Sequence, residues 1–191
     1  MKAMILAAGE GRRLRPLTDR CPKALIEVGG VPMLEIVIRR LMRAGVDAIV
    51  INTFHLADQI EAFLKAKKNF GIRIEISRET ELVDTGGGLK KASWFFDDGQ
   101  PFFLHTVDAV TDIDLLEMVR FHEQKKAIAT LAVQARPTAR HLLFDSEGLL
   151  CGWESVQEKK IIWTKAPVPS AERLAFNAIH VVSPEIFPRM K

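Results

Sequence analysis

Residues 6–23 read Leu6-Ala-Ala-Gly-Glu-Gly-Arg-Arg-Leu-Arg-Pro-Leu-Thr-Asp-Arg-Cys-Pro-Lys23. Gly9 and Gly11 let the backbone approach a ligand closely and turn N–H groups towards it. Arg12, Arg13, Arg15, Arg20 and Lys23 place five cations in twelve positions, opposed within that span only by Asp19. Like charges so close repel one another unless an anion neutralises them. A polyphosphate would do so, with arginine giving bidentate bonds and lysine a point charge. Neither common nucleotide motif fits: G-x-G-x-x-G fails at Leu14, and there is no G-x-x-x-x-G-K-[ST]. Charge alone is equally consistent with a solvated basic loop. The apolar run before it, the glycines and Pro22-Lys23 together favour an anion site.

Two more stretches could carry chemistry. Asp84-Thr-Gly-Gly-Gly-Leu-Lys-Lys91 has three successive glycines. Read as a turn feeding a short helix to about Trp94, they offer a flat backbone surface for a planar base. In Phe102-Phe-Leu-His-Thr-Val-Asp108 an acidic residue follows a buried strand, where open α/β sheets bind ligands. A carboxylate there can hold Mg²⁺, a hard ion that prefers oxygen ligands and bridges to phosphates. Asp108 is the metal candidate, whereas Asp112 and Asp114 suit a helix cap better.

The elements that must position these residues follow from periodicity. Ala3 to Ala7 and Ala48 to Ile51 are short apolar runs that suit buried strands. Pro32 is placed as a first helical residue, with Leu34, Val37, Ile38 and Leu41 on one helical face and Gly45 closing the helix. Helices are also expected over Leu56 to Ala66 and from Asp112 or Asp114 to about Lys125. Further strands are expected at Ile72 to Ile76, Pro101 to His105 and Ile128 to Val133. Alternating strands and helices imply parallel strands with right-handed crossovers. After Val133, short strands split by Gly or Pro read as an antiparallel addition to the same sheet, and a helix is expected from Ser183 or Pro184. The fold class is therefore α/β, a Rossmann-like three-layer sandwich with a mixed, mostly parallel central sheet. Residues 1–191 are read as a single domain, with 1–133 on the nucleotide side and 134–191 on the sugar side once the resemblance below is admitted.

Composition narrows the function classes. With 27 basic and 24 acidic side chains the net charge is +3, too small for a nucleic-acid coat or a membrane-surface binder. Cys21 and Cys151 are too few for a disulfide framework or a zinc cluster, which fits reduced thiols in the cytoplasm. No stretch approaches the roughly 20 apolar residues of a membrane span.

Leu6-Ala-Ala-Gly-x-Gly-x-Arg13-Leu-x-Pro16-Leu-Thr18 with Pro22-Lys23 resembles the signature of sugar-1-phosphate nucleotidylyltransferases. The likeness continues through Asn52, Gly86-Gly87-Gly88, Asp108 and Phe176 to Pro184. It is nearest to compact bacterial members, such as N-acetylmuramate-1-phosphate uridylyltransferases and mannose-1-phosphate guanylyltransferases. The resemblance implies transfer of a nucleotidyl group from an NTP to a sugar 1-phosphate, with Mg²⁺ as cofactor. It implies that Gly9, Gly11 and Arg13 hold the triphosphate, and that Lys23 neutralises the α-phosphate. Leu6, Ala7 and Gly87 would line the base, and Asp108 would bind the metal. Partners would be an NTP and a sugar 1-phosphate, with no nucleic acid or membrane, and with homo-oligomerisation left open.

The chain also departs from the family pattern. Arg12 stands where a small residue is usual, Thr106-Val107 where Asn-Gly is common, and Ala178 where the family has Gly. The segment bearing the family's second metal-binding Asp has no counterpart in residues 1–191. Two alternatives stay open at this stage. One is a nucleotide- or nucleotide-sugar-binding domain with a regulatory role and no turnover. The other is a glycosyltransferase using Asp112-Ile-Asp114 as D-x-D.

Overall fold

The computed structural model describes residues 1–190. The chain divides into two compact units, Met1–Thr130 with the stretch from Ile179 onward, and Leu131–Ala178.

In the first unit the apolar run after Met1 becomes β1 (Lys2–Leu6), with Ala3, Met4 and Ile5 fully buried. A burial of three successive residues means both faces of the strand are covered, as expected at the centre of a parallel sheet. Two short strands, β2 (Glu27–Val28) and β3 (Val31–Pro32), form a hairpin before α1 (Met33–Arg43). Pro32 stands at the N-cap of α1, so the helix opens at Met33, one position later than the sequence suggests. The predicted stripe of Leu34, Val37, Ile38 and Leu41 is buried. Gly45 adopts φ 82 and donates to the Met42 carbonyl, while Val46 N–H reaches Leu41, so two orphan carbonyls of the last turn are satisfied.

The pattern continues with β4 (Ala48–Thr53), α2 (Ala57–Ala66), β5 (Arg73–Arg78), α3 (Asp84–Lys91), β6 (Phe102–Thr106) and α4 (Leu115–Lys125). Strand β1 pairs in parallel with β4 on one side and β6 on the other, and β4 pairs in parallel with β5. The last strand of the chain, β11 (Glu172–Val182), adds Ile179–Val182 antiparallel to β6. The sheet is thus mixed and mostly parallel, as predicted. Its core on one face joins Met4, Val50, Leu104 and Val182 to Leu89, Phe95 and Phe96, with Phe96 stacked on Phe102 at 3.7 Å between centroids.

One reading needs correction. The three glycines lie inside α3 and do not form a turn before it. The helix expected from Ser183 or Pro184 is present as a 3₁₀ helix, Pro184–Arg189, with Pro188 inside it. Asp114 caps α4, accepting from the N–H groups of Leu116 at 2.9 Å and Glu117 at 3.1 Å. That is the capping role expected of it, and it commits this carboxylate to the helix.

Strand β7 (Ala129–Gln134) leads into the second unit, where β8 (Arg140–Phe144), β9 (Leu150–Ser155) and β10 (Lys160–Trp163) make an antiparallel meander. Residues Glu172, Arg173 and Leu174 of β11 pair with β8. The small core holds Leu143, Cys151 and Ala171, with Trp163 and Val168 against it. Among the described residues, no helix is long and apolar enough to cross a membrane.

Candidate active site

The basic loop leaves β1 at Leu6 and is folded by its own small residues. Gly11 has φ 64, and a Cβ there would stand 2.8 Å from Thr18 Cγ2 and 3.2 Å from Lys23 Cβ. Only glycine fits both the backbone angle and the space. Thr18 is buried and its hydroxyl donates to the Gly11 carbonyl at 3.0 Å, closing the loop on itself. His55 Nε2 donates to the Thr18 carbonyl at 2.8 Å, and Gln59 Nε2 donates to the Arg20 carbonyl at 3.0 Å. The residues around the start of α2 thus hold the loop by its backbone and leave its cationic side chains outside.

The predicted charge crowding is partly relieved within the protein. Arg12 pairs with Glu10, Arg15 with Asp19 at 3.3 Å, and Lys23 with Asp108. Among the described residues, no carboxylate pairs with Arg13 or Arg20. Arg13 is exposed, on a 3₁₀ turn of Arg12–Leu14.

At the carboxyl ends of β1, β4 and β6 lies a cleft of about 320 Å³. Five of the predicted residues, Leu6, Ala7, Gly9, Lys23 and Asp108, line it. A neighbouring cavity of about 350 Å³ is lined by Gly11, Arg12, Arg13, Leu14 and Lys23. Lys23 therefore faces both. Gly87 sits on α3, where a Cβ would meet Val83 Cβ at 2.7 Å, while Asp84 and Thr85 of the same helix line the cleft that holds Asp108.

Two cleft residues carry more than the sequence reveals. Asn52, at the end of β4, accepts from the Ala7 N–H at 2.8 Å and donates to Glu79 Oε1 at 2.7 Å. Both side chains are nearly buried, with residue exposures of 3% and 5%. A Cβ on Gly88 would lie 2.8 Å from Asn52 Nδ2 and 2.8 Å from Glu79 Oε1, so α3 approaches this pair as closely as a bare backbone permits. Glu79 is invisible in the sequence. Arg78-Glu-Thr-Glu81 is polar throughout, and Glu79 is turned inward only where it follows β5 and its N–H donates to the Thr53 carbonyl of β4 at 2.8 Å.

Asp108 lies two residues past the end of β6. Burial pushes its carboxyl up, but the hydrogen bond and charge of Lys23 outweigh that, so it stays below the ordinary aspartate value. Its neighbour Val107 is buried and donates its N–H to the Leu6 carbonyl at 3.1 Å. Val107 is not among the residues with positive φ, so this backbone does not need the glycine common in the family. Ala178 is the opposite case: it adopts φ 61, the left-handed region that favours glycine.

As to a metal, no group of three or more His, Cys, Asp or Glu side chains is gathered among the described residues. The chemistry of Asp108 still fits a hard divalent ion. Mg²⁺ keeps several waters and is held by one or two carboxylates plus substrate phosphates.

A sequence model of the family described as nucleotidyl transferase matches residues 2–144. The chain belongs to that family. It is 40% identical over 149 residues to a UTP–glucose-1-phosphate uridylyltransferase of Synechocystis, a stretch covering 72% of this chain and 38% of that protein. It is 45% identical over 115 residues to an N-acetylmuramate α-1-phosphate uridylyltransferase of Neisseria meningitidis, covering 60% of this chain and 49% of that protein. The matched part of the chain thus spans half or less of these relatives. A crystal structure of UDP-glucose pyrophosphorylase with UDP-glucose superposes with a TM-score of 0.74 at 17% identity, over 99% of this chain and 78% of that one. This likeness shows that the family fold is present across nearly the whole chain.

Proposed function

We propose that this protein transfers a nucleotidyl group from a nucleoside triphosphate to a sugar 1-phosphate. A phosphate oxygen of the sugar attacks the α-phosphorus, the bond to the β-phosphate breaks, and pyrophosphate leaves. The observation that carries this reading is the pairing of Lys23 with Asp108 in a cleft at the carboxyl ends of parallel strands, beside a glycine loop whose Arg13 pairs with no carboxylate among the described residues. Family membership and the names of the relatives support it.

In this reading Gly9, Gly11 and Arg13 hold the triphosphate, and Lys23 neutralises charge as it develops on the α-phosphate. Leu6, Ala7 and Gly87 border the base. Glu79, an acceptor fixed by Asn52 in the same cleft, takes a hydrogen bond from an N–H on the base edge. Asp108 holds Mg²⁺, which when bound offsets phosphate charge. The protein supplies positioning and charge neutralisation and no nucleophile of its own, as phosphoryl-type transfers require. The division into a nucleotide part, 1–133, and a sugar part, 134–191, belongs to the same proposal.

The test is pyrophosphate release from the four NTPs against a panel of sugar 1-phosphates. Release that requires one base and one sugar 1-phosphate supports the reading. Release from no combination, with NTP binding intact, would instead support a binding domain without turnover.

A further inference from the structure

Lys23 and Asp108 are 85 positions apart in sequence and form an ion pair between Nζ and Oδ2. Their side chains are 23% and 41% exposed, so the pair is partly dehydrated and each charge matters to the other. Among the described residues, neither has another ionic partner. Both face the same cleft.

One ammonium cannot serve a carboxylate and a phosphate at full strength at the same time. A triphosphate that takes Lys23 leaves the Asp108 carboxylate bare and facing a polyanion. A divalent cation that takes Asp108 leaves the Lys23 ammonium bare and facing a dication. Either ligand alone creates a like-charge clash in a half-buried cleft. When both enter, Lys23 goes to phosphate and Asp108 goes to the cation, and neither group is left facing only a like charge.

We propose that the Lys23–Asp108 ion pair is a latch that couples the two ligands, each one releasing the group the other needs. This rests on the nucleotidyl-transfer reading of the site. Linkage makes the coupling reciprocal: the cation tightens triphosphate binding by the factor by which triphosphate tightens cation binding. The latch also holds the free protein in a state in which the Asp108 carboxylate is already matched by the Lys23 ammonium.

Substitutions separate the latch from simple chelation of the cation by the nucleotide. Asp108→Asn keeps the shape but can neither hold Lys23 by charge nor repel a polyanion. In EDTA, calorimetry with α,β-methylene analogues of the four NTPs is expected to show binding roughly tenfold tighter to Asp108→Asn than to the unmodified chain. Lys23→Met frees the carboxylate, so electron paramagnetic resonance with Mn²⁺ alone is expected to show tighter binding than to the unmodified chain. Melting curves establish that each variant is folded, and the Mn²⁺ measurement decides the matter should Asp108→Asn not fold. Analogue binding that Asp108→Asn does not tighten, or Mn²⁺ binding that Lys23→Met does not raise, overturns the latch. If the unmodified chain binds no analogue with or without Mg²⁺, the nucleotide reading itself fails, and the latch with it.

Discussion

Asn52 donates to Glu79 across 2.7 Å, between two side chains that burial has largely removed from water. The bond is charge-assisted, and its loss would leave both groups poorly satisfied, at a cost of about 1–3 kcal/mol. Helix α3 packs Gly88 against this pair, Gly87 against Val83, and leaves Gly86 exposed, so the three glycines have different duties.

Gly88→Ala should therefore destabilise the protein, because the new methyl group displaces Asn52 or Glu79 from 2.8 Å contacts. Overpacking costs about 1–3 kcal/mol, more than the roughly 1 kcal/mol that alanine gains over glycine in a helix. Gly86→Ala should do the reverse. Gly86 is exposed with only Met190 Cε near, at 4.0 Å, so the helix propensity gain stands alone. Denaturant melts of both variants are expected to shift in opposite directions, and equal shifts would mean the helix tolerates a side chain at Gly88.

Arg13→Ala and Lys23→Ala should each lower turnover on the order of 10²-fold or more, the usual effect of losing a charged contact made in the transition state. Arg13 is exposed and Lys23 lies at the cleft wall, so melting temperatures should barely move. Steady-state rates measured beside melting curves check this. Unchanged rates with a sharply lower melting point would make the two residues structural.

Asp108→Asn should remove metal-dependent turnover and leave the fold intact. The amide preserves shape but lacks the charge that a hard divalent ion requires. A Mg²⁺ titration of activity shows it, and an unaltered metal dependence would exclude Asp108 as a ligand.

Mild acid should weaken the fold before the carboxylates respond. His105 is buried, and burial holds its imidazole down to about 4 against the pull of the Thr106 carbonyl, with the charge of Arg40 lowering it further. Its Nδ1 donates to that carbonyl at 2.7 Å, and its Nε2 has no hydrogen-bond partner among the described residues. His122 and His180 are lowered by burial as well. The unfolded chain takes up protons near pH 6.5, while these native imidazoles remain neutral. Their stabilising effect is thus complete above pH 6.5 and declines as pH falls towards 4. His105 alone accounts for on the order of 3 kcal/mol over that window. Asp108, Glu35, Asp47 and Asp97 are held below their ordinary values, so they stay charged between pH 6.5 and 5. Urea midpoints that do not fall between pH 7 and 5 would contradict this account.

Ala178→Gly should stabilise the protein. The left-handed backbone at φ 61 costs alanine about 1–2 kcal/mol, while glycine loses only about 0.5–1 kcal/mol more entropy on folding. The expected net gain is up to about 1 kcal/mol, or roughly 2–4 °C in melting temperature. A lower melting temperature would show that the methyl group packs better than its backbone suggests.

Much of this protein is local in origin and was therefore legible in its residues. Buried strands announce themselves as apolar runs, α1 by a stripe at helical spacing, and its end by Gly45 at positive φ. The basic loop shows in its composition, and the strand that precedes Asp108 shows as an apolar run. Asp114 shows as a helix cap because capping needs only residues two and three positions away.

Other features required the sheet. Lys23 meets Asp108 across 85 positions only because β1 and β6 lie side by side in parallel. Glu79 reaches the cleft because β5 runs beside β4 and the chain leaving it continues the pairing, Glu79 N–H donating to the Thr53 carbonyl at 2.8 Å, within reach of Asn52. The glycines of α3 looked like a turn because glycine disfavours helices. They are helical because Gly87 must clear Val83 and Gly88 must clear Asn52 and Glu79, contacts that a Cβ would forbid. Propensity and spacing act over a few residues and can be read along the chain. Close approach between distant segments is set by strand order and register, which no local signal encodes.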